Sequence, residues 1–322
     1  MRHESDAFPR ETSPMVRIGA SRLPFRKNAM TNRLTLRKTG ALAGAALLFS
    51  VAAEPARAES LAITYGLSLA GLPIGTAQMT GSVTRESYKL DVQAKMTGLA
   101  GLLTSGRGAG VASGVNAGGK LLPSAYALSS GGGSQVYTVR MALKSGDVAA
   151  VDIQPPLDAK VDRVPVLESH KKGVVDPVSA LLFPVAGRGP LMEPAACDRT
   201  IPVFDGAGRF DVTLSYAARK DVDVPGYKGP VLVCSARYTP ISGHRVSRKS
   251  TQFMADNRDM EAWLAPVEGA HALVPLKIAV RTMVGTTVIE ATKVNLTKTA
   301  DAGAPASPGG GARHAFAEPA RP

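Results

Sequence analysis

The residues able to do chemistry gather between Cys197 and His244. That stretch holds both cysteines of the chain, with Asp205, Arg209 and Asp211 set around a tight-turn signal at Asp205-Gly206 and with Arg245 just beyond. Paired carboxylates beside a cation are residue types that acid/base catalysis uses. The same residues have a plain structural use. Asp before Gly is what a tight turn asks for, and Arg209 and Asp211, two apart on a strand, share a face and suit an ion pair. No Gly-x-Ser-x-Gly nucleophile elbow is present. Nor is there a His-Glu-x-x-His zinc motif, a Walker loop or a Gly-x-Gly-x-x-Gly opening a helix. His170, His244, His271 and His314 stand far apart without a ligand pattern. A non-catalytic protein without metal or cofactor is therefore expected.

How Cys197 and Cys234 are read depends on the N-terminal segment. A basic run at 33–38 precedes the apolar stretch 40–53, which ends at Ala56-Arg-Ala58. These are the three parts of a secretory signal in order, with cleavage expected between Ala58 and Glu59. The apolar part is too short for a permanent membrane span, which needs ~20 residues. Met30, directly before the basic run, is the expected start, so residues 1–58 are read as an upstream extension plus a cleaved signal. The expected location is the periplasm. In an oxidising compartment two cysteines tend to pair, and a Cys197–Cys234 disulfide closing a loop of 37 positions is expected. On the chain-entropy model such a loop contributes roughly 4 kcal/mol.

The segment 1–58 carries ten basic and four acidic residues, so without it the net charge of +12 falls to +6. No cluster of Lys and Arg interleaved with aromatics appears, which argues against a nucleic-acid partner. Aromatics make up only 5% of the chain, too few for the two girdles of an outer-membrane barrel.

From Leu61 onward the hydrophobic period is two. Leu61, Ile63, Tyr65, Leu67 and Leu69 alternate with small or polar residues, and so do Tyr88 to Met96, Tyr137 to Leu143, and Phe210 to Tyr216. Each run predicts a strand with one buried and one wet face. Turn signals at 71–75, 85–87, 118–120, 145–147, 205–206 and 268–269 separate them. The fold predicted is mainly β: an antiparallel meander forming a curved sheet or open half-barrel, with one or two short helices. Thr97–Thr104 and Asp176–Phe183 are the helix candidates; Asp176 offers a cap, and Pro177 suits a first helical position. Gly106–Gly110 reads as a bent strand or loop. One domain at 59–298 is expected, with strand sets at about 61–153 and 199–297 joined by a crossover at 154–198. Residues 299–322, rich in Ala, Gly and Pro, read as a disordered tail.

Six segments together resemble a family of exported bacterial proteins catalogued as domain of unknown function 3108. They are Tyr65-Gly-Leu-Ser-Leu-Ala-Gly-Leu-Pro-Ile-Gly75, Leu122-Pro-Ser-Ala-Tyr126, Asp176-Pro-Val-Ser-Ala180, Val203-Phe-Asp-Gly206, Cys234-Ser-Ala-Arg-Tyr238 and Ala262-Trp-Leu-Ala-Pro266. The resemblance spans 61–297 and implies export and a β-rich fold, with no residue roles.

These readings combine into one expectation. The chain is a periplasmic protein that binds an apolar or amphipathic envelope component, lipid-like or protein, in the concave face of its sheet. Phe183, Tyr238 and Trp263 are the expected walls of that site. An envelope assembly factor working through protein contacts is the alternative, and an enzyme of unrecognised type the third.

Overall fold

The computed structural model describes residues 58–97, 106–132, 135–159 and 161–298. The signal segment up to residue 57, the tail from 299 and most of the helix candidate Thr97–Thr104 lie outside them. The first seven strands follow one another by short turns: β1 (Glu59–Leu69), β2 (Leu72–Val83), β3 (Ser87–Met96), β4 (Arg107–Ala117), β5 (Lys120–Gly132), β6 (Gln135–Lys144) and β7 (Asp147–Gln154). After a crossover holding the two-residue β8 (Phe183–Pro184) come β9 (Arg199–Phe204), β10 (Arg209–Val224) and β11 (Tyr227–Ser242). A helix, α1 (Lys249–Asp256), leads to β12 (Met260–Val267), β13 (Ala272–Thr282) and β14 (Gly285–Lys298).

All of them belong to one antiparallel sheet in the order β7-β6-β5-β4-β3-β2-β1-β14-β13-β12-β11-β10-β9, with β8 beside β13. The first and last strands of the domain, β1 and β14, pair along their length. That pairing fuses the two strand sets into a single sheet. Alternation sets its faces. Leu61, Ile63, Tyr65, Met79, Leu90, Tyr126, Val139 and Met141 are buried on one side. They pack on crossover residues Val174, Val175, Val178 and Leu182. The sheet therefore curls around its own crossover.

The curl does not close by hydrogen bonds between β7 and β9. It closes by packing. Gly206, in the β9–β10 turn at one end of the strand order, lies against the other end. A Cβ there would stand 2.5 Å from Val139 Cγ1 on β6 and 3.6 Å from Val151 Cγ2 on β7. Its φ of +99° is also one that side-chain-bearing residues rarely adopt. On the open edge of β9, Val175 substitutes for a strand: the Val175 amide donates to Pro202 O at 2.8 Å, and the Phe204 amide donates to Val175 O at 2.9 Å.

The β12–β13 hairpin departs from simple alternation. Leu264, Ala265, Val267, Ala270 and Leu273 are all fully buried, although they point to both faces. β13 pairs with β14 only from Lys277 to Thr282, and its first residues pair with β8 instead. The hairpin tip thus leaves the sheet surface and enters the interior. There the Tyr65 hydroxyl donates to Pro275 O at 2.8 Å. Its other face meets Phe183, Leu191 and the cysteines.

One sequence expectation needs correction, one is narrowed and one element is added. Asp176–Phe183 is not an α-helix but one 3-10 turn, Ser179–Leu181, because Phe183 and Pro184 are drawn into pairing with β13. A residue before proline is also disfavoured in the α region. Of the two readings open for Gly106–Gly110, strand or loop, the strand holds: from Arg107 it is strand β4, paired with β3 and β5. α1 was not foreseen, since its eight residues lack a side-chain cap and a fully buried stripe.

Replacing Gly206 by Ala should destabilise the fold by about 1–3 kcal/mol, the usual cost of overpacking. Part of that loss should be recovered by Val139→Ala, which makes room. Urea unfolding of both single variants and the double variant measures the coupling. Strictly additive losses would contradict closure through this contact.

Candidate functional site

The crossover is held inside the sheet by a chain of hydrogen bonds that begins at Asp176. Its side chain has no solvent exposure. Oδ1 accepts from the amides of Val178 at 3.0 Å and Ser179 at 2.8 Å. Oδ2 accepts from Ser179 Oγ at 2.5 Å. With the Ser179 hydrogen committed there, the Tyr88 hydroxyl donates to Ser179 Oγ at 2.8 Å. Burial pushes the Asp176 carboxyl upward, with these hydrogen bonds pulling the other way. Burial also drives the Tyr88 hydroxyl far up.

β4 makes room for this node. The inward positions of that strand are Gly108, Gly110, Ala112 and Gly114. A Cβ on Gly110 would stand 3.0 Å from Val178 Cγ2, and one on Gly114 would stand 2.7 Å from the Tyr88 hydroxyl. The glycine run is thus a strand whose inner face is kept small.

Beyond the node, the crossover crosses the inner face of β10–β13 without filling it. A cavity of about 220 Å³ remains, with walls from Phe183, Ile201, Phe210, Val212, Ala236 and Ile278. The cross-strand pairs Leu214–Ala236 and Ala262–Ile278 put these side chains on one face. Cys197 and Cys234 form a disulfide, both fully buried, with their Cα atoms 5.6 Å apart. The bond anchors the crossover, through the 3-10 turn Pro194–Ala196, to the floor made by β11.

The expected wall residues divide. Phe183 lines the cavity. Tyr238 stacks at 5.3 Å on Phe210, which lines it. Trp263 does not belong there. It stands opposite Val233 and Lys277, one residue out of phase with the cavity-lining Ala262. Lys220 Nζ at 4.6 Å and Lys277 Nζ at 4.5 Å from the ring centroid make cation–π contacts with it on the other face of the sheet. Its period-two phase, not its aromatic character, decided its side.

The polar residues of the central stretch do not converge on a cleft. Asp205 Oδ1 accepts the amides of Ala207 and Gly208, capping its own turn. Arg209 donates twice to Asp211 Oδ1, at 2.9 and 2.7 Å. Arg245 Nε donates to Asp162 Oδ1 at 2.8 Å, and Ser247 donates to the same carboxylate. Those donors hold the Asp162 carboxyl down at about 2. His244 Nδ1 and His271 Nε2 are buried with no partner among the described residues, and so is Arg163 Nε. His170 Nδ1 accepts the Leu167 amide. Among the described residues no group of three or more His, Cys, Asp or Glu is arranged to hold a metal ion. Glu59, the first residue after the expected cleavage point, opens β1 with its side chain buried.

A second, larger cavity of about 690 Å³ runs across β1–β6. Thr64, Gln78, Gln93, Lys95 and Arg107 line it on the face turned from the core. Its other walls include small residues such as Ala77, Ala94 and Ala109, and this mix of polar and small side chains without an aromatic distinguishes it from the apolar cavity under the crossover.

A curled antiparallel sheet stapled around its own crossover is a barrel-like β domain. Residues 61–292 match the family described as protein of unknown function, DUF3108, and the chain belongs to that family. No curated protein matches it. Among solved structures, a beta-barrel-like protein of domain of unknown function DUF1849 from Brucella abortus is similar at 10% identity. That match covers 76% of this chain and 98% of the other, with a TM-score of 0.41.

The Asp176 node has a pH signature. Its folded pKa is raised above the ordinary 3.8, so between these values the folded state holds a proton that the unfolded chain has released. Its contribution to stability therefore falls as pH rises through that window. Asp176→Asn should remove this slope in denaturant unfolding followed against pH. Asp176→Ala should cost about 1–3 kcal/mol for each donor left stranded. An Asn variant with an unchanged pH slope would rule out the carboxyl as its source.

Proposed function

We propose that this protein is an exported, non-catalytic periplasmic protein that takes an apolar or amphipathic envelope component into the cavity between its crossover and strands β10–β13. The observation that carries this reading is the cavity's composition. Phe183, Ile201, Phe210, Val212, Ala236 and Ile278 supply apolar walls. An apolar cavity tends to stay dry and to take apolar guests.

Size limits what enters. At about 220 Å³ the space falls below the ~300–1,000 Å³ of ordinary small-molecule sites. It suits one acyl segment or one apolar side chain rather than a whole lipid. The remainder of an amphipathic ligand would stay outside. The signal-like leader supports the periplasmic location, and the Cys197–Cys234 bond suits an oxidising compartment. The uses already found for Asp205, Asp211 and Asp162 favour binding over catalysis.

Protein recovered from its native compartment without detergent and examined by native mass spectrometry should carry a co-purifying apolar mass. Ala236→Phe, which fills the cavity from its floor, should lose that mass while keeping the circular dichroism of the parent. Consistently empty wild-type protein would sink the proposal, and so would ligand retained in the filled variant.

A further inference from the structure

The two ends of the sheet differ. At one end the turns are Thr84–Glu86, Gly118–Gly119, Ser145–Gly146, Pro225–Gly226 and Glu268–His271, polar or small in composition. At the other end stand Leu72, Val136, Val161, Val246, Met283 and Val284, each more than half exposed. These side chains sit on separate tips, several of which touch. The β1–β2 and β13–β14 turns touch, with the Ala70 amide donating to Thr286 O at 2.9 Å. Val246 and Val161 come together because the Val246 amide donates to Asp162 O at 3.1 Å. α1 joins the rim through Asn257, whose side-chain amide donates to Arg281 O at 2.9 Å.

Cations accompany the apolar tips. Lys95 and Arg107 stand directly opposite one another on β3 and β4 at this end, an arrangement that costs stability when nothing neutralises it. Arg248 and Lys249 are exposed at the start of α1. None of the four has an ion pair among the described residues. The acids nearby are largely committed: Asp162 to Arg245, Asp211 to Arg209 and Asp259 to Arg281, while Asp256 is exposed without an ion pair among the described residues. The rim is therefore apolar at its tips and positive between them.

We propose that this end of the barrel is a docking surface for an anionic lipid bilayer, with the apolar tips entering the interface and Lys95, Arg107, Arg248 and Lys249 meeting the headgroups. Two features choose a bilayer over a protein. The charge surplus complements anionic headgroups, whose attraction adds to that of buried apolar area. Apolar groups on separate tips fit a fluid interface, whereas a folded partner would need a matching hole for each. Among the described residues no helix is long and apolar enough to cross a membrane, so the contact proposed is interfacial. It stands independently of the cavity under the crossover.

Co-sedimentation of the purified chain with vesicles tests it. Vesicles of 30% phosphatidylglycerol in phosphatidylcholine should bind the protein at least tenfold more tightly than pure phosphatidylcholine, and added salt should weaken the binding. The tip variant Leu72→Asp/Met283→Ser/Val284→Asp changes only exposed side chains and should lose at least tenfold. Arg248→Gln/Lys249→Gln should lower the preference for anionic vesicles. Val115→Asp, exposed on β4 away from the rim, should bind like the parent. Absence of vesicle binding, or tip variants that bind like the parent, would overturn the proposal. So would a dimer in sedimentation velocity that the tip substitutions dissociate, which would assign the rim to a second copy of the chain.

Discussion

The sheet carries one long apolar face and must hide it without closing its hydrogen bonds into a ring. The chain covers that face with its own crossover, and the crossover stays in place through the buried chain from Tyr88 through Ser179 to Asp176. Asp176 is costly to bury, and its lone pairs are satisfied by two amides and one hydroxyl. Without that node, Val178 and Leu182 would have no fixed position against β3 and β4. The inner glycines of β4 would then border empty space. The disulfide performs a related task further along, fixing the outgoing half of the crossover to β11.

Given this packing, the cavity follows as a remainder. The crossover enters beside β3 and β4, turns once at Ser179–Leu181 and leaves by pairing with β13. The β12–β13 tip fills the region near Tyr65. Between these two inserts, the inner face of β10–β13 is roofed but not filled. The interior is thus neither a wide hollow nor a solid core. A small apolar space at that position suits part of a chain-like ligand, and the proposed site is that space rather than the concave face as a whole.

Much of the architecture was legible in the sequence because antiparallel strands with one wet face announce themselves by period two. Leu61 to Leu69 and Tyr137 to Leu143 are clear instances. The turns at Gly118-Gly119 and Ser145-Gly146 were equally readable, the positive φ values of Gly118, Gly119 and Gly146 favouring glycine. The buried β12–β13 tip was harder. A strand covered on both faces shows a continuous apolar run, and Ala262-Trp-Leu-Ala-Pro-Val267 is such a run, so a signal was present. Trp263 was misassigned because a one-residue change of phase moves a side chain to the other face. The Asp176 cap was visible as a cap, but Tyr88, which bonds Ser179 Oγ, lies 91 residues from that serine and belongs to no local pattern. Only the folded sheet brings Phe183, Val212, Ala236 and Ile278 around one space.

The account stands on the apolar space beneath the crossover, and xenon tests it most directly, since the gas occupies dry apolar cavities. A crystal of this protein held under xenon pressure should show a xenon atom among Phe183, Val212, Ala236 and Ile278. Side chains collapsed into that space with no xenon bound would contradict the account.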